Sequence, residues 1–257
     1  MNFEKPSTRL IGIGDFGQKA IEVIKKLWSE EACVCFENAE EYGGFSYAGL
    51  TLTTTEEEIN SVFESANTVI ILSDASADLE LTEKVAKNAK VKGIFTVIGL
   101  ANGTEKQASL LAGVSDSAIM LPTSDYDVVF KFVETMVVPM HIPGIIGIDW
   151  EDVKSVLSDA GVGCFALGNG KEVDSIILDC LDNLPDRFDL NTAKRVLINI
   201  TSFIYDMYFI DGIMERVCEH LNDSAHICFS AQIPDDLRTS YMGIIVVRMN
   251  KYSKGDF

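Results

Sequence analysis

The sequence predicts an α/β fold: a mainly parallel sheet, a long central helix, and a second, smaller α/β domain with a four-stranded sheet. Three observations predict it. Through the first half, short apolar runs alternate with amphipathic stretches of helical period. That alternation builds a parallel sheet with helices on both faces. One long apolar run, Val128 to Val138, is interrupted only by Lys131, Glu134 and Thr135. A helix that is apolar on most sides is buried on most sides. Beyond it the order helix, strand, helix, strand, helix, strand, strand forms a smaller unit. The expected division is 1–124 for the first domain, 125–147 for the central helix and its exit loop, 148–250 for the second domain and 251–257 for a short tail.

Composition narrows the function classes. The 257 residues can hold a large core, and 47% hydrophobic against 23% charged residues means a globular chain. A net charge of −18 argues against nucleic-acid binding and against a polybasic membrane contact. The start MNFEKPSTRL has no apolar signal region, and no run is long enough to span a bilayer. A cytoplasmic protein without direct membrane contact is therefore expected. Six scattered cysteines with no C-x-x-C pair read as reduced thiols. His141, His220 and His226 are too far apart for a zinc motif, so no metal site is assigned.

Arg9 to Gly14 reads as a buried strand that enters a helix with Ala20, Ile21, Val23, Ile24 and Leu27 inward. Between them Gly12, Gly14 and Gly17 spell G-x-G-x-x-G. Such a turn brings backbone N–H groups and a helix N-terminus against a phosphate, and so belongs to a nucleotide-binding type of sheet. It also serves as a compact strand-to-helix turn with no ligand. Ala32 to Asn38 is the second strand, and Glu37 lies 37 − 17 = 20 residues past Gly17. An acid there binds ribose hydroxyls in a dinucleotide fold, which keeps an NAD(P)-dependent oxidoreductase as a rival.

Gly43 to Leu52 reads as a loop with a short strand. Thr54 or Thr55 caps a helix whose first turn holds Glu56 to Glu58. Strands follow at Asn67 to Leu72, Gly93 to Leu100 and in DSAIMLP, with helices between them, one of them from Glu105 to Ala112. Pro139 ends the central helix or kinks its last turn, and His141 to Gly144 turns the chain. Asp149 or Trp150 begins a helix stopped by Gly161. VGCFALG is a strand ended by a turn at Gly168-Asn169-Gly170. A helix from Val173 to Leu184, the strand AKRVLINITSF, a helix from Asp206 to Asn222 and the strands HICFSAQI and SYMGIIVVRM complete the chain.

In this order the segments resemble the FtsZ/tubulin superfamily, and bacterial FtsZ more than tubulin. GIGDFGQKAI is similar to its first phosphate loop, and DVVFKFVETMVVPMHIPG to its central helix and Pro-Gly exit. GIDWEDVKSVLSDAGVGCFALG resembles the loop that completes a neighbour's active site, and AKRVLINITS and PDDLRTSYMGIIVVRM the long strands of the activation domain. The resemblance implies GTP or GDP as ligand, Mg²⁺ only where nucleotide is bound, and head-to-tail association with itself or another FtsZ-like protein. It implies nucleotide-binding roles for Gly12, Gly14, Gly17 and Asp127, the last reading the guanine edge. It implies that Asp149 and Asp152 are catalytic on the neighbouring subunit's nucleotide. Helix capping is the other reading of Asp127 and of the Asp149–Asp152 pair.

The departures lie on the phosphate side. The glycine-rich loop expected after NTVIIL is SDASADLE, with Asp74, Asp78 and Glu80. Asp15 stands where the first loop usually has glycine, Gly147 where the catalytic loop opens with asparagine, and the helix ahead of the central helix is missing. Carboxylates there repel a triphosphate. The expectation is an FtsZ-like cytoskeletal or cell-division protein with GTP binding and hydrolysis reduced or lost. The alternative is a working, polymerising GTPase.

Overall fold

The computed structural model describes residues 7–30, 45–51, 54–141, 144–185, 188–204, 206–233 and 240–248. The expected strand at 32–38 with Glu37, Cys33 and Cys35, the turn at 142–143 and the tail at 251–257 lie outside them. The first half runs β1 (Thr8–Ile13), α1 (Gly14–Glu30), β2 (Phe45–Leu50), α2 (Glu56–Ser61), β3 (Thr68–Asp74), α3 (Leu79–Val91), β4 (Phe95–Ala101), α4 (Glu105–Ala112) and β5 (Ser117–Met120). The central helix is α5 (Tyr126–His141). The second half runs α6 (Trp150–Leu157), β6 (Gly161–Gly170), α7 (Val173–Asp182), a 3-10 turn (Leu190–Thr192), β7 (Arg195–Thr201), α8 (Met207–His220), β8 (His226–Gln232) and β9 (Ser240–Arg248).

These strands form one sheet in the order β2-β1-β3-β4-β5-β6-β9-β7-β8. Only β9 is antiparallel to its neighbours β6 and β7; the other pairings are parallel. The four strands of the second half are joined edge to edge to the first sheet, because β5 pairs with β6 from Ser117↔Gly161 to Met120↔Cys164. Successive strand residues face opposite sides, so Leu10 and Ile70 enter one apolar layer and Ile11 and Ile71 the other. One layer is covered by α1, α5 and α6, the other by α2, α3, α4, α7 and α8. Val129, Phe130, Phe132, Val133, Met136 and Val137 of α5 are all buried, as the apolar run predicts.

Local chemistry explains the helix starts. Thr55 and Glu58 form a capping box for α2, and Thr104 with Gln107 another for α4. Asp125, not Asp127, caps α5: its Oδ1 accepts the Asp127 N–H at 2.9 Å. Asp127 is one residue too deep, in the first helical turn.

One open boundary is resolved and two differ from expectation. The central helix continues through Pro139 to His141, so the proline lies within the last turn and does not end it. The helix expected to stop at Gly161 ends at Leu157, with Asp159 taking the left-handed φ of 45° before Gly161 opens β6. The turn expected at Gly168-Asn169-Gly170 is instead the end of β6, paired with β9 out to Gly170↔Ser240. Gly168 is there because α7 presses on the strand: a Cβ would sit 2.1 Å from the Ile176 carbonyl oxygen.

Candidate functional site

Strand β1 delivers the chain at its C-terminal end to the glycine turn, the edge of a parallel sheet where crevices form. Gly14 takes φ +65°, a left-handed conformation natural to glycine. Gly12 and Gly17 have a packing role. A Cβ on Gly12 would lie 2.1 Å from the Gly17 carbonyl oxygen, and one on Gly17 would lie 2.5 Å from that of Leu72 in β3. The turn is thus folded onto itself and onto the neighbouring strand. Gly17→Ala is expected to lower stability by about 1–3 kcal/mol, since rigid backbone must move. A denaturant titration with an unchanged midpoint would contradict this.

Beside the turn lies a cleft of about 530 Å³, lined by Gly14, Asp15, Phe16, Thr51, Asp74, Ala77 and Asp78. Its three carboxylates differ. The Asp74 carboxylate accepts the Ser76 N–H at 2.8 Å and Ser76 hydroxyl at 2.6 Å on one oxygen, and the Asn102 side-chain amide at 2.7 Å on the other. Burial alone would raise its pKa, but the donors from Ser76 and Asn102 outweigh it and hold Asp74 below the usual carboxylate range. Asp78 is 7% exposed and opens α3 without a side-chain capping bond. Its carboxylate rests against Gly14, where a Cβ would meet Oδ2 at 1.9 Å. Burial, then the charges of Asp15 and Asp74, raise the Asp78 carboxyl above its ordinary value.

A raised acid destabilises the fold once the unfolded chain releases the proton that the folded chain retains. Below about 3.8 both states are protonated and the effect disappears. Asp78→Asn is therefore expected to melt higher than the wild type at neutral pH, with the difference closing as pH falls toward that value. A melting series that shows no gain at pH 7 would contradict the assignment.

At the other side of the turn the ring of Phe16 stacks on Tyr126, centroids 5.6 Å apart. Lys19 Nζ lies 5.6 Å from the Tyr126 ring centroid. Asp127, the candidate base-reading residue, follows in α5 and is exposed, but does not line the cleft. The glycines and α5's start are therefore neighbours, linked by an aromatic stack that the sequence reading did not anticipate.

Asp149 and Asp152 are elsewhere. The 16-residue helix α5 alone spans about 24 Å, and these two acids follow its far end. Asp149 Oδ1 accepts the Asp152 N–H at 3.0 Å, and Asp152 Oδ2 accepts the Asp149 N–H at 2.9 Å, a reciprocal capping box for α6. Neither acid lines the cleft. Ser155 of α6 reaches His226 Nε2 at 2.9 Å, and Cys228 Sγ lies 3.5 Å from the same nitrogen. Burial raises the Cys228 thiol, the Ser155 hydrogen bond opposes this, and Asp152 and Asp149 add to it, so the thiol is held in its unreactive form. This cluster had no local signature in the sequence, because 226 − 155 = 71 residues separate its parts.

No protein-family model matches the chain. Among curated proteins it is 25% identical over 230 residues to "Cell division protein FtsZ" of Haloferax mediterranei, covering 75% of this chain and 60% of that protein. Matches to the first relatives span 29%, 60% and 21% of their lengths. Among solved structures it superposes on the FtsZ W319Y mutant of M. jannaschii with a TM-score of 0.78 at 15% identity, covering 95% of this chain and 91% of that one. On the GTPγS-form protofilament of Bacillus thuringiensis serovar israelensis TubZ the TM-score is 0.61 at 10% identity, covering 97% and 90%. The chain is thus similar in sequence to FtsZ and shares its fold with FtsZ and TubZ.

Proposed function

We propose that this chain is an FtsZ-like cytoskeletal or cell-division protein that associates head to tail, with itself or another FtsZ-like protein, and in which GTP binding and hydrolysis are reduced or lost. The observation that carries the nucleotide clause is the Asp78 carboxylate packed on Gly14, in a cleft also lined by Asp15 and Asp74. A triphosphate needs donors at this place. It would instead meet acids, whose charge repels it. The residues present therefore suit GTP phosphates poorly, although the Phe16–Tyr126 stack and exposed Asp127 keep the features of a base side. With Mg²⁺ tied to bound nucleotide, no Mg²⁺ requirement follows.

Association is supported by the fold shared with a TubZ described as a protofilament, and by the placement of cleft and acidic loop at opposite ends of α5. Asp149 and Asp152 sit at the second end as caps and, in this reading, as a subunit-contact loop. The net charge of −18 opposes contact between copies, so association is expected to strengthen as salt screens it. Sedimentation velocity with and without GTP, beside a GTP titration and a phosphate-release assay, tests the whole reading. The expected result is association indifferent to GTP with little turnover. Tight binding, and turnover that rises more than linearly with protein concentration, would return the chain to the working GTPases.

A further inference from the structure

We propose that the cleft at the β1–α1 turn binds an alkylammonium ligand, meaning a linear aliphatic diamine or polyamine or the equivalent end of a lysine side chain from another molecule. Its charged groups would meet Asp74, Asp78 and Asp15, and its methylenes Phe16 and Ala77. The inference rests on the reduced-nucleotide reading of the same cleft.

Asp78 points to the ligand's charge. Its side chain is 7% exposed, lines the cleft, and receives no hydrogen bond among the described residues. With no protein donor against it, the carboxylate of this nearly buried residue leaves its oxygens to the open cleft. An N–H⁺ group entering the cleft supplies the missing donor. Asp74 is already oriented by Ser76 and Asn102, and so presents its charge without reorganising.

Spacing points to the ligand's shape. Among the described residues no group of three His, Cys, Asp or Glu side chains is arranged to hold a metal ion. Divalent ions gather several oxygens within about 2.0–2.6 Å of one point. Carboxylates that do not converge on one point suit positive groups joined by methylenes. Phe16 and Ala77 add apolar lining for the ligand's methylenes. The positive end of the α1 dipole amounts to only about half a charge, too little to cancel three acids. A volume of about 530 Å³ is within the range of small-molecule sites.

Calorimetric titration of the full chain at two salt concentrations tests the proposal. The probes are spermidine, 1,4-diaminobutane, butylamine, Nα-acetyl-lysine methylamide and MgCl₂. Spermidine is expected to bind more tightly than diaminobutane and diaminobutane more tightly than butylamine, and all should outcompete Mg²⁺ at equal concentration. Asp78→Asn, which keeps the side chain's shape, should weaken spermidine by about tenfold, as loss of a charge-assisted bond does. Asp74→Asn should weaken it as well. Binding of the lysine derivative above that of butylamine identifies a protein side chain as the source; the reverse identifies a free amine. The proposal falls if both variants bind spermidine like the wild type, which is diffuse attraction to an acidic chain, or if Mg²⁺ binds as well as spermidine. A parallel GTP titration separates the two readings. Tight GTP binding with turnover overturns the reduced-nucleotide reading, whereas binding of neither GTP nor amine overturns this inference alone.

Discussion

Glu134→Ala is expected to cost about 3–5 kcal/mol of folding stability, the cost of leaving a buried charge without its partner. Glu134 is 6% exposed on α5, and its carboxylate lies 2.7 Å from Lys131 Nζ one turn earlier. Lys131 Nζ also sits 3.9 Å from the ring centroid of Tyr241 on β9. The pair therefore ties the central helix to the antiparallel strand of the second half. Burial works against the Lys131 charge, but Tyr241 and Glu134 outweigh it and raise its pKa. Removing Glu134 leaves that largely buried ammonium with Tyr241 and the Phe130 ring but without its carboxylate. In a chain of this size the loss corresponds to a melting point lower by about 10 °C. The double variant Lys131→Met, Glu134→Leu should lose much less, because no charge is orphaned. If Glu134→Ala melts like the wild type, the pair is not buried in solution. The pH dependence has a fixed sign. Burial first, then Glu134, raises the Tyr241 hydroxyl as well. In the folded state both groups keep protons that the unfolded chain releases. Stability is thus fully present below about pH 10 and falls as pH rises beyond it. The double variant should remove the Lys131 part of that alkaline limb and keep the Tyr241 part, which burial sets.

What the sequence made legible was local. IDWED encodes the α6 capping box within four residues, and the apolar face of α5 is visible in its own composition. The alternation of strands and helices predicts the parallel half of the sheet, because each unit carries its own period. The misread boundaries have non-local causes. Gly168 looks like a turn residue, yet it is small because α7 crosses the strand there. Lys131 and Glu134 looked like interruptions of an apolar run, and only the position of Tyr241 shows why a charge pair is buried there. The same holds for the cleft. G-x-G-x-x-G and the acids of SDASADLE were each visible, but Gly14 and Asp78 are 78 − 14 = 64 residues apart. Their contact exists because β3 lies beside β1 in the sheet. Phe16 and Tyr126 meet for a related reason: α5 packs back against α1.

Asp78→Ala is expected to raise the affinity of the chain for GTP by about tenfold. Two unit charges about 5 Å apart, at the effective dielectric near a protein surface, repel by roughly 3 kcal/mol. Solvent entering the open cleft screens part of this, and each 1.4 kcal/mol that remains is about tenfold in affinity. The substitution also frees the space against Gly14 that the carboxylate fills, so N–H groups of the α1 terminus become accessible to an anion. Asp78→Asn removes charge but not bulk, and should recover less. Asp74→Ala is a poorer test, because it leaves the donors of Ser76 and Asn102 without their acceptor. A titration of GTP against these variants at constant ionic strength decides the matter. Unchanged affinity in Asp78→Ala would mean that this acid is not what disfavours the triphosphate. The same substitution should weaken an alkylammonium while strengthening GTP. Opposite signs from one side chain are what charge selection at this turn requires, and a general loosening of the cleft would move both ligands in the same direction.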